Sequence, residues 1–307
     1  MRSVVPSQSV RRSLIRVSAF SFFAFSSVSV TLAQNVYVID AANNAVETFN
    51  ADTFAYNGSF GDGFFTSPGG IAADGTGVYV ADPNGFYQFN PDTGDLLNLF
   101  GTGFLTDPRS LALAGGSLYA LDGAGSIAQF DAITGDYQNG FGDGFLTNPK
   151  GMTIVGDNLF VGSGSAIQEF DRNTGDYLGS LGDGLLQFVS GLAFAPDGHL
   201  YAVDSGLGEI LSFDPSDGSL LDSFADGFLV SPTGIAVDAM GRLNVSDAGQ
   251  QCLFQFETTG EFDGLYGDGF LPLPTDLATF VQPVPEPASL AVLGLGLLAL
   301  RRRTPKP

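Results

Sequence analysis

Five carboxylates recur at one place in a repeated pattern. Asp40, Asp82, Asp122, Asp204 and Asp247 each end a short apolar run of the type Val78-Tyr-Val-Ala-Asp, and Ser163 holds the sixth equivalent position. Hard cations take oxygen ligands, so these positions gathered on one face could hold Ca2+. A second reading needs no ion, because an Asp that ends a strand can accept the backbone N–H groups of the turn beside it. Other chemistry is scarce. His199 is the only histidine and lies in Ala195-Pro-Asp-Gly-His-Leu-Tyr, a turn leading into a strand. A zinc site built on several histidines is therefore excluded, and a Ser-His-Asp or Cys-His nucleophile would have to recruit that turn residue. Cys252 is the only cysteine; it falls in an apolar run, reads as a buried thiol and leaves no intramolecular disulfide. No glycine-rich phosphate loop precedes a helix, since the body shows no helical period. The sequence thus assigns no catalytic and no cofactor-binding residue, with Ca2+ as the one cofactor candidate.

The elements that must position these residues follow from a repeat. Phe60-Gly-Asp-Gly, Phe100-Gly-Thr-Gly, Phe141-Gly-Asp-Gly, Leu181-Gly-Asp-Gly, Phe224-Ala-Asp-Gly and Tyr266-Gly-Asp-Gly start 40, 41, 40, 43 and 42 residues apart. A period of about 40 marks repeated supersecondary units and not one ordinary core. The unit after Phe60 holds four short apolar segments, Gly70-Ile-Ala-Ala, Val78-Tyr-Val-Ala-Asp, Phe86-Tyr-Gln-Phe-Asn and Leu96-Leu-Asn-Leu-Phe. Gly-, Asn- and Asp-rich joins separate them, the composition of tight turns. In the third segment Phe86 and Phe89 are three apart and so point to opposite sides of a strand. Both faces of each small sheet are then buried, and with no helix to cover them the sheets must stack on one another. Before the five complete units stand Val36-Tyr-Val-Ile-Asp, Val46-Glu-Thr-Phe-Asn and Tyr56-Asn-Gly-Ser-Phe, which match second, third and fourth strands; after them Thr275-Asp-Leu-Ala-Thr-Phe matches the missing first strand. The fold class is therefore all-β: a six-bladed β-propeller of four-stranded antiparallel blades, closed by a composite N/C-terminal blade. The recurring Asp62, Asp143, Asp183, Asp226 and Asp268 belong to the joins between units.

Three stretches divide the chain. Residues 1–33 read as a secretory signal: Arg2, Arg11, Arg12 and Arg16 precede an apolar stretch from Val17, and Thr31-Leu-Ala33 offers small residues for cleavage after Ala33. Residues 34–281 are the propeller, and residues 282–307 a tail. The segment 34–280 keeps only Arg109, Lys150, Arg172 and Arg242 against 32 acidic residues, a net charge near −28. Such a field repels the phosphates of nucleic acid, which is excluded as a partner, and it favours solubility.

At these residues the chain resembles the NHL-repeat propellers. Ser231-Pro-Thr-Gly-Ile-Ala-Val-Asp, Asp197-Gly-His-Leu-Tyr-Ala-Val-Asp and Ile210-Leu-Ser-Phe-Asp-Pro carry the likeness. It implies propeller architecture and says little about function, which lives in sites and not in folds. The basic residues common in many such repeats are missing. Gluconolactonase-type propellers, which hold a divalent cation through a Glu, Asn residues and an Asp, supply the enzyme alternative; here Glu47, Glu169, Glu209, Glu257 and Glu261 are the only glutamates of the body, and none is an evident channel ligand. The tail resembles the PEP-CTERM sorting signal: Val284-Pro-Glu-Pro-Ala-Ser-Leu, an apolar stretch to Leu300, then Arg301, Arg302 and Arg303. The resemblance implies that an exosortase recognises Pro285, Glu286 and Pro287 and processes the protein during export by a Gram-negative bacterium. The apolar stretch is short for a spanning helix, which wants about 20 residues, so transient membrane insertion is expected, with the arginines held at the cytoplasmic face. The expectation is an exported, non-catalytic binding or scaffolding propeller of the cell envelope or extracellular matrix, with a glycan or protein ligand on its channel face.

Overall fold

Turn chemistry sets the lengths of the strands. Asn90 Oδ1 accepts the N–H groups of Asp92 (2.8 Å) and Thr93 (3.1 Å). Asp131 and Asp171 repeat that arrangement one and two units later, so in these units the third strand is stopped by the side chain at its end and turned into the fourth. The Gly-Asp-Gly joins are left-handed at both glycines, as at Gly61 (φ 83°) and Gly63 (φ 82°). A Cβ on Gly61 would lie 2.4 Å from the Phe65 ring, so glycine is required there for space as well as for its backbone angle.

The computed structural model describes residues 33–282. These form six four-stranded antiparallel sheets. Blade 1 consists of Gly70–Asp74, Gly77–Asp82, Gly85–Phe89 and Leu96–Phe100, in that order from the axis outward. Blades 2 to 5 repeat it, with innermost strands Pro108–Ala114, Pro149–Val155, Val189–Phe194 and Pro232–Val237. Blade 6 joins the two extremities of this region: Pro274–Gln282 is its innermost strand, followed by Ala33–Asp40, Ala45–Asn50 and Tyr56–Phe60. The closing register pairs Val36 with Thr279, Tyr37 with Ala278 and Val38 with Leu277. Ala33 and Gln282 also pair, one residue outside the expected bounds on each side. Residues 1–32 of the expected signal segment and the tail beyond Gln282 lie outside the described residues.

The core is a set of seams between blades. Second strands are buried on both faces: Tyr79 and Ala81 join Leu111, Leu118 and Phe130 of blade 2, while Val78 and Val80 join Tyr37, Ile39 and Val46 of blade 6. The same division recurs around the ring. Most seams also carry one tyrosine hydroxyl that donates to a turn carbonyl of the next blade. Tyr37 reaches Pro91 (3.1 Å), Tyr79 reaches Ala132 (3.3 Å), Tyr119 reaches Arg172 (3.4 Å) and Tyr201 reaches Thr258 (3.4 Å). In blade 5 the equivalent residue is Asn244, and Gln255 makes the crossing bond instead, to Ala51 of blade 6 (3.1 Å). Arg242 adds an ion pair across that same closing seam, to Asp52 at 2.6 Å.

The innermost strands meet at the axis with almost no side chain between them. A Cβ on Gly151 would stand 2.5 Å from Gly191 Cα, and one on Gly191 3.0 Å from Gly234 Cα. Gly151→Ala is therefore expected to force backbone apart and cost about 3 kcal/mol, a fall in Tm of roughly 6–12 °C in a domain of this size. Gly179→Ala, on an outer strand with nothing within 4 Å of the added methyl, is expected to leave Tm within about 2 °C. Thermal melts of the two variants check the contrast.

Candidate functional site: the mouth of the axial channel

The recurring aspartates are taken up by the fold. Asp82 accepts from the backbone N–H of Thr66 (2.7 Å), Ser67 (2.8 Å) and Asn84 (2.9 Å). Asp204 accepts from Gln187 (2.6 Å), Phe188 (3.0 Å), Gly206 (2.8 Å) and Leu207 (3.0 Å), and Asp247 has the equivalent four donors. Asp122 accepts from Thr106, Asp107 and Ala124. Burial alone would raise its pKa, but these backbone donors outweigh it and hold the carboxyl below its ordinary value. Asp40 accepts from Ala42 and, across the closing blade, from Leu273 N–H at 3.0 Å. Ser163 is the abbreviated version, receiving Thr147 N–H at 2.7 Å. Each side chain thus ties the end of a second strand to the loop that feeds the innermost strand of its own blade.

These carboxylates lie at one end of the propeller, as the repeat implies, but they are buried there and none lines the channel. Among the described residues no three His, Cys, Asp or Glu side chains converge at metal-holding distance. The geometry supports the turn-cap reading of Asp40, Asp82, Asp122, Asp204 and Asp247. His199 is a partly exposed turn residue whose Nδ1 lies 3.5 Å from Asp197. Cys252 is buried, and burial with the nearby Asp247 and Asp268 pushes its thiol up to about 11, away from nucleophile chemistry.

The open site is the polar mouth of the channel. Where the innermost strands of blades 2 to 6 enter the ring they carry an irregularity in register, which blade 1 lacks: Pro108 pairs with Asp122 but Ser110 with Leu121, leaving Arg109 as the extra residue. Ser190 and Thr233 are extra in the same way, and the bulge in blade 3 contains Lys150. A bulge re-aims its side chain. Here the bulged positions form one ring, Arg109, Lys150, Ser190, Thr233 and Thr275, with Gly69 as the sixth member. They surround a cavity of about 230 Å3. One step deeper come Gly70, Ser110, Gly151, Gly191, Gly234 and Asp276, and below them an apolar ring that includes Ile71, Leu111, Met152 and Leu277. The opposite mouth is lined largely by apolar side chains such as Leu113, Ile154, Phe194 and Val237, with Thr153 and Thr279 among them.

Three groups in the polar mouth are unusual. Lys150 has its ammonium 5.0 Å from the centre of the Phe188 ring, a cation–π contact; burial, and then the neighbouring Arg109, lower its pKa. Arg109 pairs through one terminal nitrogen with Asp107, while its Nε has no partner. Asp276 stands where blades 1, 3, 4 and 5 carry glycine; its carboxylate accepts Ile71 N–H (3.2 Å) and Leu277 N–H (3.0 Å). Burial raises its pKa to about 7 against those two bonds. The signal available in the sequence is that Arg109 and Lys150, half of the body's basic residues, each directly follow the Pro that opens a first strand, Pro108 and Pro149.

Asp204→Ala is expected to leave four partly buried N–H groups without their acceptor and to cost about 3 kcal/mol, lowering Tm by roughly 6–12 °C. Wild-type Tm is expected to stay unmoved on adding Ca2+ at matched ionic strength, because the lone pairs of these carboxylates already face N–H donors. Asp276 has the opposite linkage. Its folded pKa is raised, so the folded state holds a proton that the unfolded chain has lost between about pH 4 and 7, and the group's contribution to stability falls as pH rises through that window. The charged groups sharing its cavity are Asp107, Arg109 and Lys150. Asp276→Asn removes this slope, and its advantage over wild type is expected to grow from about pH 4 to pH 7, to a ceiling of about 4 kcal/mol, then to level off. Chemical denaturation of both proteins at pH 4, 5.5, 7 and 8.5 measures it.

Comparison with known proteins supports the architecture. A chain in the crystal structure of a nidogen/laminin complex superposes with a TM-score of 0.68 at 15% identity, covering 80% of this chain and 98% of that one. A protein of unknown function from Bacteroides caccae superposes with a TM-score of 0.65 at 14% identity, covering 82% and 100%. At such identities the likeness is one of fold. No curated protein matches the chain. Residues 283–303 match the PEP-CTERM protein-sorting motif, which contains the expected Pro285, Glu286 and Pro287 and marks the chain as an exported, cell-envelope-associated protein sorted by exosortase.

Proposed function

We propose that this chain is a non-catalytic binding or scaffolding module that acts in the cell envelope or extracellular matrix of a Gram-negative bacterium, presenting the polar channel face to a glycan or protein ligand. The observation that carries the reading is a division of labour among polar groups. The side chains suited to chemistry are spent on capping turns, whereas donor groups at the mouth remain open to a ligand. A concave site with a few convergent polar groups on a rigid ring is the usual form of a binding site. The nidogen/laminin structure gives one instance of this architecture in a protein–protein complex, and use of the ring for docking is part of the proposal here. The strongly acidic body suits a protein that stays soluble after export.

A glycan screen of the full chain, run beside hydrolysis assays on lactones and phosphoesters with Ca2+, Mg2+, Mn2+ or Zn2+ added, tests this reading. The expected result is saturable binding without turnover. Metal-dependent hydrolysis would favour the gluconolactonase-type alternative. Sorting has its own test: Glu286→Ala is expected to block processing, so that the tail-bearing precursor accumulates on an immunoblot of the exporting cell.

A further inference from the structure

We propose that the polar mouth of the channel binds an oxyanion, the carboxylate, phosphate or sulfate of a small molecule, through Lys150, Arg109 and Thr275. The proposal deepens the binding-module reading and rests on it. It starts from an imbalance. Arg109, Arg172 and Arg242 are each paired with carboxylates, whereas among the described residues Lys150 has no carboxylate and no hydrogen-bond acceptor, only the face of Phe188. A half-buried ammonium left without a carboxylate in a body of net charge near −28 is unexpected unless something else neutralises it.

The same cavity holds two further donors without partners, and these are more deeply placed. Arg109 Nε and Thr275 Oγ1 are buried without hydrogen-bond partners, although buried polar atoms are nearly always satisfied. Ser190 and Thr233 are not open in this way: Ser190 donates to Val203 O (3.3 Å), and Thr233 is bonded to Ser246 and Pro274. The unsatisfied groups are therefore one ammonium, one guanidinium N–H and one hydroxyl, all able to donate. They lie on blades 2, 3 and 6, so they approach the axis from more than one side. The chemistry they share is that of a ligand oxygen atom carrying negative charge, and charge-assisted bonds to it are the strong ones. Arg109 keeps Asp107 on its terminal nitrogen, which leaves Nε aimed elsewhere. The cavity of about 230 Å3 admits a molecule of monosaccharide or small organic acid size. A long polyanion would instead meet the acidic surface of the ring. The apolar ring beneath, with Ile71, Leu111, Met152 and Leu277, closes the floor and keeps the ligand at the mouth.

Isothermal titration of the full chain with glucuronate, citrate, inorganic phosphate, inorganic sulfate and neutral glucose tests the assignment and separates its sources. Binding of at least one anion and not of glucose is expected, and Lys150→Gln is expected to weaken it by about tenfold or more with little change in Tm. Thr275→Val guards against a merely structural explanation. It removes a hydroxyl that is unsatisfied without ligand, so it should hold or raise Tm while weakening anion binding. Failure of every anion to bind, or anion binding unaffected by Lys150→Gln, overturns the oxyanion site. Glucose binding that is indifferent to Lys150→Gln also overturns it, yet leaves the binding-module reading intact. Hydrolysis of an added lactone or ester would overturn that reading and leave the oxyanion site standing.

Discussion

The structure depends on how closely six backbones can approach one axis. Where the innermost strands converge, Gly70, Gly151, Gly191 and Gly234 let main chain lie against main chain, and a methyl group at Gly70 or Gly151 would fall within 3 Å of a neighbouring strand's backbone. Interiors at this density do not absorb even one carbon without displacement. Because the inner ring is so tight, blade-to-blade distance there is fixed, and the seams further out must be filled by large side chains. Fully buried Tyr and Phe residues do this, from Tyr79 and Phe86 to Phe213 and Phe256. The wedge shape of each blade, glycine at the axis and aromatic residues outside, follows from that single constraint.

The same constraint produces the mouth. Strands that touch at the glycine ring cannot also touch one residue earlier while carrying side chains. Register irregularities at Arg109, Ser190 and Thr233 turn those residues away from the sheet ladder. The aspartates at the ends of the second strands then hold the incoming loops, each by one or two backbone N–H groups of the segment that leads into the first strand. Turn cap and mouth residue are thus two parts of one device. One fixes the loop, and the other is the side chain that the fixed loop presents. This explains why a repeated carboxylate that resembles a ring of cation ligands has structural work to do, while its less regular neighbours supply the unpartnered donors of the mouth.

Fold was highly legible in the residues, and the site was not. Strand boundaries, the order of four strands per unit and the closing blade all follow from features that recur, since every blade solves the same packing problem with Gly-, Asn- and Asp-rich turns and a double-faced second strand. Val36–Asp40 and Thr275–Phe280 could be joined across the whole chain only because each lacked what the other supplied. Recurrence misleads at the site for the same reason. Asp82 and its equivalents stood out because they repeat, and they repeat because they are structural. Arg109, Lys150 and Asp276 break the pattern of their positions, so a reading that aligns repeats discards them. Burial was the missing quantity: sequence cannot show that Arg109 Nε and Thr275 Oγ1 lack partners, or that the carboxyl of Asp276 is taken out of solvent.

Electrostatics ties the two levels together. A net charge near −28 spread over exposed turns is screened within about 8 Å at physiological ionic strength, so it governs what the whole particle approaches and not what happens inside a narrow mouth. There the local groups decide. Asp276 is largely neutral below about pH 7 because burial opposes its charge, Asp107 is engaged by Arg109, and the remaining formal charge is the ammonium of Lys150. Exclusion of large anions by the outer surface and attraction of a single anionic group at the axis are therefore compatible. In the proposed oxyanion site their combination would select for ligand size: a charged group must be small, or displayed at the end of a chain, to reach the cations without carrying further negative charge across the acidic rim.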